Sequence, residues 1–243
     1  MATIGRSSVV TVSKKYFIFT QNYLNIKSMD LKKVFRIISI VLPIVLAIAL
    51  WKVLASQNEA QVDTTQVVLQ TIMERTSIRA YDGRPVGQDT IESILRAGMA
   101  APTAMNRQPW AFIVVDDREV IRELADSMPM ARMLPNAAFL IIPCGDRTKM
   151  IEGPGAAFWI NDVSAASENM LIAIKAYGLG AVWTGGYPSE ERVAILRSVL
   201  NIPDKFIPLN MIPVGHPAES PEPKNKWNPD NVYRNKFAAD TIR

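Results

Sequence analysis

One cysteine and one histidine occur in 243 residues. A lone cysteine excludes an internal disulfide, and no Cys/His group has the spacing of a zinc site. Cys144 ends the apolar run Phe139-Leu140-Ile141-Ile142-Pro143-Cys144. That setting suits a small core side chain better than a nucleophile. A single histidine, His216, excludes a His-rich metal centre. There is no Ser-His-Asp set, no paired catalytic carboxylates and no P-loop. An excess of one charge is also missing from most of the chain. Lys and Arg total 27 against 23 Asp and Glu, a net +4, but residues 1–36 hold seven basic residues and one acid. The remainder is therefore slightly acidic, about −2. The high pI thus gives no argument for nucleic-acid binding, and no Lys/Arg-aromatic interleave offers bases a stacking platform.

The chain does have one long apolar run, Val34 to Leu54, free of charge from Ile37 to Trp51 and preceded by Lys32, Lys33 and Arg36. A basic start followed by an apolar core is the pattern of a secretory signal or a membrane anchor. The uncharged stretch is short for a span, but Arg36 and Lys52 can snorkel to the headgroups. A cleaved signal would use Val53-Leu54-Ala55 before Ser56. An anchor would use Trp51-Lys52 as its interfacial end and leave the following domain on the non-cytoplasmic side. Cleavage would make that domain secreted or periplasmic. The missing Ala three residues before the cut favours the anchor. A buried core helix would need polar residues on one face. Met29-Asp30-Leu31-Lys32-Lys33 reads as a natural beginning, so residues 1–28 are expected to come from an over-extended reading frame. The expected division is a basic extension over 1–33, an anchor or signal core over 34–54, a polar linker over 55–63 and a folded domain over 64–243.

Within that domain, helices are expected over 65–75, from a cap at Asp89 or Thr90 through Gly98, over 118–127, over 161–177 with Gly178 closing it, and over 189–200. Strands are expected over 111–115, 139–144, 180–184 and 207–214. This alternation is a mixed α/β class. No internal repeat is visible.

The most informative stretch is Pro102-Thr103-Ala104-Met105-Asn106-Arg107-Gln108-Pro109-Trp110, running into Ala111-Phe112-Ile113-Val114-Val115. Small side chains let a planar ligand approach the backbone, Asn106 and Gln108 offer amides to a heterocycle edge, and Pro109 fixes the turn. Taken alone it also fits an ordinary loop-to-strand junction. Earlier the chain reads Arg75-Thr76-Ser77-Ile78-Arg79-Ala80-Tyr81. Together the two segments resemble the nitroreductase family of flavin mononucleotide (FMN) enzymes. That family opens with Arg-x-Ser-x-Arg-x-aromatic and follows with an Ala-Pro-Ser-x-x-Asn-x-Gln-Pro-Trp loop. Here Thr103 replaces the commoner Ser. The resemblance spans roughly residues 64–237.

It implies a central, largely antiparallel sheet surrounded by helices, and a homodimer with flavin at the interface. It places the FMN phosphate and ribityl chain on Arg75 and Ser77, often joined by Arg79, with Thr76 also in the cofactor site. Arg75 and Arg79 either share a face of a helical turn or flank Ser77 in an extended loop. Lys224 and Lys226 either close on the same phosphate or form a solvated tail. Pro102, Thr103, Ala104 and Asn106 would meet the ring from the partner subunit, with Gln108 supporting the loop. Trp183, Thr184, Gly185 and Gly186 would present backbone N–H groups under the flavin, although Gly-Gly also makes a plain turn. No acid stands in that segment, so the proton donor to reduced flavin is unassigned.

The implied activity is transfer of electrons from NAD(P)H, or another reductant such as a membrane quinol, to a nitroaromatic- or quinone-like acceptor. A reductive dehalogenase resembling iodotyrosine deiodinase is a rival. It needs a lid that the compact region 132–161 does not supply. A non-catalytic flavin carrier or sensor is another, and so is a tethered interaction domain without cofactor.

Overall fold

The computed structural model describes residues 30–57, 63–128 and 131–237. The proposed start at Met29, residues 1–28 and most of the expected linker lie outside them. The chain divides into two compact units, one ending at Asp63 and one beginning at Thr64.

In the first unit, helix α1 (Leu31–Gln57) is 27 residues long. At about 1.5 Å per residue that is roughly 40 Å. The stretch Leu31–Lys52 has a mean hydropathy of 2.5, and none of it is buried. Pro43 lies inside the helix.

Among its described residues the second unit is a three-layer arrangement around six strands. These are β1 (Trp110–Val115), β2 (Phe139–Asp146), β3 (Gly180–Ala181), β4 (Thr184–Gly185), β5 (Phe206–Pro208) and β6 (Asn210–Gly215). The order is β1-β2-β6-β3, with β4 on β6 and β5 on β2, and every strand pairing is antiparallel. Among the described residues four helices flank the sheet, α3 (Gln88–Met99), α4 (Arg118–Ser127), α5 (Phe158–Ala176) and α6 (Glu190–Leu200), while α2 (Thr64–Glu74) lies against α5.

Strand β2 explains the layering. All eight of its residues are buried. Side chains alternate across a strand, so Leu140, Ile142 and Cys144 face one way and Phe139 and Ile141 the other. The first set packs with Ile121 and Leu124 of α4 and Leu196 of α6. The second packs with Ile91 and Ile94 of α3 and Met170 and Ile174 of α5. Where α3 crosses α5, a Cβ on Gly98 would stand 2.7 Å from Met170 Cγ, so only glycine lets the helices come this close. Gly178, at φ +70°, ends α5 in a conformation that side chains disfavour.

Three local expectations changed. Neither Asp89 nor Thr90 caps α3; Gly87 holds that place without a side-chain bond, and Asp89 sits in the first turn. There its charge favours the positive helix end without capping it. The expected strand over 180–184 is two short strands paired to different parts of β6. The expected strand over 207–214 is also two, because pairing slips by one residue between Cys144–Pro208 and Ile141–Ile212. That slip is a β-bulge at Leu209, whose N–H turns to Pro143 O at 2.8 Å. The helix over 118–127 begins as read, with Asp117 accepting from the N–H groups of Glu119 and Val120.

Candidate functional site

Helix α2 stops at Glu74, and the next residues run extended. Ser77 bridges Ala181 in parallel, and Ile78 N–H donates to Ala181 O at 2.9 Å. Arg75 and Arg79 therefore flank Ser77 on an extended segment instead of sharing a helical face. This segment forms one wall of a groove of about 1210 Å³. A second wall is α2, through Leu69, Ile72 and Met73. The third is the C-terminal segment from Pro221 to Trp227. Arg75, Thr76, Ser77, Arg79, Lys224 and Lys226 all line this groove. Four cationic side chains and two hydroxyls, from segments far apart in sequence, thus share one opening.

Their electrostatics differ. Arg75 Nε lies 3.5 Å from Glu168 Oε1 on α5, and the Arg75 side chain is only 20% exposed. Lys175 Nζ lies 3.6 Å from Glu74 Oε2. Among the described residues, Arg79, Lys224 and Lys226 make no ion pair. Cations without carboxylate partners, beside paired Arg75, give the groove a surplus of donors suited to a dianionic phosphate. Trp227 stands at its mouth, 71% exposed. Its place directly after Lys-Asn-Lys was the sequence signal that could have marked it.

The C-terminal segment is laid down against the first motif. Asp82 N–H donates to His216 O at 3.1 Å, Tyr81 bridges Pro217, and Ala218 N–H donates to Ala80 O at 2.9 Å. The Glu219 carboxylate accepts from the N–H groups of Arg79 and Ala80. Tyr81 is buried, and its hydroxyl donates to Ile78 O at 2.7 Å and Pro213 O at 3.0 Å. Burial first, then the Glu219 charge, pushes its pKa well above the usual phenol value.

Residues 102–108 lie elsewhere and do not line the groove. They fold as a surface loop around a single 3₁₀ turn, Ala104–Asn106. Met105, Asn106 and Gln108 have φ of 51°, 52° and 49°. Three left-handed non-glycine residues in four positions are costly, and such backbones persist where surroundings hold them. The holding groups are visible. Ala104 N–H donates to Asp162 Oδ1 at 2.8 Å, Gln108 N–H to Thr103 Oγ1 at 3.1 Å, and Gln108 Nε2 to Asn106 Oδ1 at 3.0 Å. Pro102, Asn106 and Gln108 are exposed; Thr103 and Ala104 are half-buried. Asp162 is buried near the start of α5. The sequence reading missed it, although an acid in an otherwise apolar helical stretch was the available signal.

The segment Trp183 to Gly186 is also outside the groove. Its two glycines are not equivalent. Gly186 N–H donates to Leu209 O at 2.9 Å, and a Cβ there would lie 3.1 Å from Leu209 O and 3.2 Å from Pro208 O. Gly186 therefore serves strand packing. At Gly185 the nearest atom to a Cβ would be Arg192 Nη1 at 3.7 Å, so that face is open. Trp183 is 37% exposed. Cys144 is fully buried, and burial pushes its thiol up to about 12, away from nucleophilic use.

The model of the nitroreductase family matches residues 72–131 and 129–216. The chain belongs to the nitroreductase family. A relative from Archaeoglobus fulgidus, provisionally named NADH dehydrogenase/NAD(P)H nitroreductase, is 41% identical over 172 residues, 70% of this chain and 98% of the relative. A crystal structure of a similarly named protein from Parabacteroides distasonis has 44% identity and a TM-score of 0.66, over 70% of this chain and 99% of that one. A protein from Desulfovibrio desulfuricans, provisionally named a nitroreductase and crystallised in complex with FMN, has 29% identity and a TM-score of 0.61, over 70% of this chain and 98% of that one. The mixed helix and antiparallel-sheet architecture is the nitroreductase fold, and the family places the chain among oxidoreductases.

Proposed function

We propose that this nitroreductase-family protein is an FMN-dependent oxidoreductase that passes electrons from NAD(P)H or another reductant to a nitroaromatic- or quinone-like acceptor. The observation that carries the cofactor reading is the groove in which Arg75, Ser77, Arg79, Lys224 and Lys226 converge. Its donor set fits a phosphate monoester, and a relative of the same fold is named as an FMN complex. Arg75, Thr76, Ser77 and Arg79 hold the phosphate from one side and Lys224 and Lys226 from the other. Bound FMN supplies the electron and hydride chemistry, so the protein needs no nucleophile of its own. The chain's residues bind, orient and shield. The loop from Pro102 to Gln108 faces the ring edge, and Gly185 leaves room for close backbone approach.

The functional unit is a homodimer. Val67, Val68, Leu69, Ile72 and Met73 of α2 are all exposed, and α2 buries no residue. An amphipathic helix without a buried face suits a second copy of the chain. The partner's Pro102–Gln108 loop then completes each site, which accounts for its distance from the groove within one protomer.

Helix α1 is a membrane anchor. Leu31–Lys52 is long and apolar enough to cross a bilayer, with Lys32, Lys33 and Arg36 on the cytoplasmic end. This topology puts the domain outside the cytoplasm, where nicotinamide cofactors are scarce and a membrane quinol is a second electron donor. Retention of the full chain in carbonate-washed membranes checks the anchor; recovery in the soluble fraction overturns it.

The enzymatic reading is tested with the full chain in mild detergent. Bound flavin bleached by NADH or NADPH, and reoxidised by a nitroaromatic or quinone with multiple turnovers, supports it. Flavin that binds and turns over no acceptor makes the protein a carrier.

A further inference from the structure

Glu219 has no role in the reading above, yet it occupies a decisive place. Its Oε1 accepts the N–H of Arg79 and, at 3.1 Å, the N–H of Ala80. Two backbone donors on one carboxylate oxygen form a charge-assisted clamp, stronger than neutral bonds of the same geometry. The bond joins the first motif to the C-terminal segment across 140 residues of sequence. On the near side, backbone bonds from Asp82 to His216 and from Ala218 to Ala80 set the register. On the far side the chain reads Ser220-Pro221-Glu222-Pro223-Lys224-Asn225-Lys226. No backbone bond to the domain body fixes residues 220–226 among the described residues. Two prolines stiffen that stretch. In an extended proline-rich conformation the five steps from Glu219 to Lys224 cover about 15 Å. The last anchored point before the lysines is therefore Glu219, and the stiff spacer carries its position forward to them.

We propose that Glu219 is a positioning residue: its carboxylate latches the C-terminal segment to the Arg79–Ala80 backbone and so delivers Lys224 and Lys226 to the groove. The inference rests on the reading of that groove as the FMN phosphate site. Glu219 does not itself line that groove. It acts through the lysines.

The test is FMN affinity of the full chain, measured by quenching of flavin fluorescence over a series of salt concentrations. The variants are Glu219→Ala, Glu219→Gln, the pair Lys224→Ala with Lys226→Ala, and the triple. Glu219→Ala is expected to weaken FMN binding about tenfold, the size of one charge-assisted contact. It should also flatten the salt dependence as the lysine pair does, because the same cations leave the phosphate. Added to the lysine pair, Glu219→Ala should have almost no further effect, since contacts that act as a unit are not additive. Glu219→Gln keeps an acceptor oxygen but loses the charge, and should fall between wild type and Glu219→Ala. Unchanged affinity in Glu219→Ala, or an equal loss on the lysine-free background, overturns the latch while the cofactor reading stands. A wild-type chain that binds no FMN overturns both.

Discussion

Arg75 Nε and Glu168 Oε1 stand 3.5 Å apart, linking the end of α2 to the middle of α5 at the edge of the cationic groove. A carboxylate half exposed to water holds an arginine that is mostly shielded, so the guanidinium is aimed before any anion arrives. Arg75→Ala should weaken FMN binding by about 2 kcal/mol, roughly 30-fold, by removing a charge-assisted contact to phosphate. Glu168→Gln removes the competing charge and should change affinity by less than about threefold. Titration of FMN fluorescence measures both. Equal losses in the two variants would mean that Arg75 serves the ion pair and not the ligand.

The loop from Pro102 to Gln108 hangs on Asp162. Asp162→Ala removes the acceptor of Ala104 N–H from a buried position and should destabilise the fold by about 1–3 kcal/mol. Asp162→Asn keeps an acceptor and should recover most of the stability and of the turnover. Thermal melting and steady-state rates together check this. Rates that stay low in a fully stable Asp162→Asn protein would assign the carboxylate charge a further role.

The two glycines after Thr184 make opposite predictions. Gly186→Ala pushes against two backbone carbonyls and should lower stability by about 1–3 kcal/mol even without cofactor. Gly185→Ala meets only open space and Arg192 and should leave the apoprotein's melting temperature unchanged. Any loss of FMN affinity in Gly185→Ala then reports close approach of the ring. Unchanged affinity would remove Gly185 from the site.

Alkaline pH should weaken the fold through Cys144. Its thiol is raised from 9.0 to about 12 in the folded chain, mainly by burial. Stability from this group is full below pH 9, where both states are protonated. Above it only the unfolded chain ionises, so stability falls until the folded pKa near 12 is passed. The expected loss is on the order of a few kcal/mol. Cys144→Ala should show a flatter decline, though Tyr81, shifted the same way, keeps some of it. Thiol labelling should be negligible in the native state and complete in denaturant. Identical pH profiles of wild type and Cys144→Ala would contradict the assignment.

Much of this was legible from residues alone. The amphipathic run over 118–127 marked α4, and the apolar stretch from Phe139 marked β2. Short-range chemistry decided those elements. The two short strands at 180–185 and the bulge at Leu209 were not legible, because both depend on which part of β2 and β6 they meet. The groove residues were named from two motifs, but their convergence was not. It comes from the backbone pairing of residues 216–218 with 80–82, a contact between distant segments. Asp162 and Glu219 escaped for the same reason: each works by accepting a backbone N–H more than 50 residues away.

The central claim is that the groove holds FMN. The most direct measurement is the visible absorption spectrum of the purified full chain, before and after addition of FMN and then NADPH. The account predicts a flavin spectrum retained through gel filtration, near one FMN per chain, and bleached by the nucleotide. A colourless protein that takes up no FMN, with circular dichroism showing it folded, would contradict it.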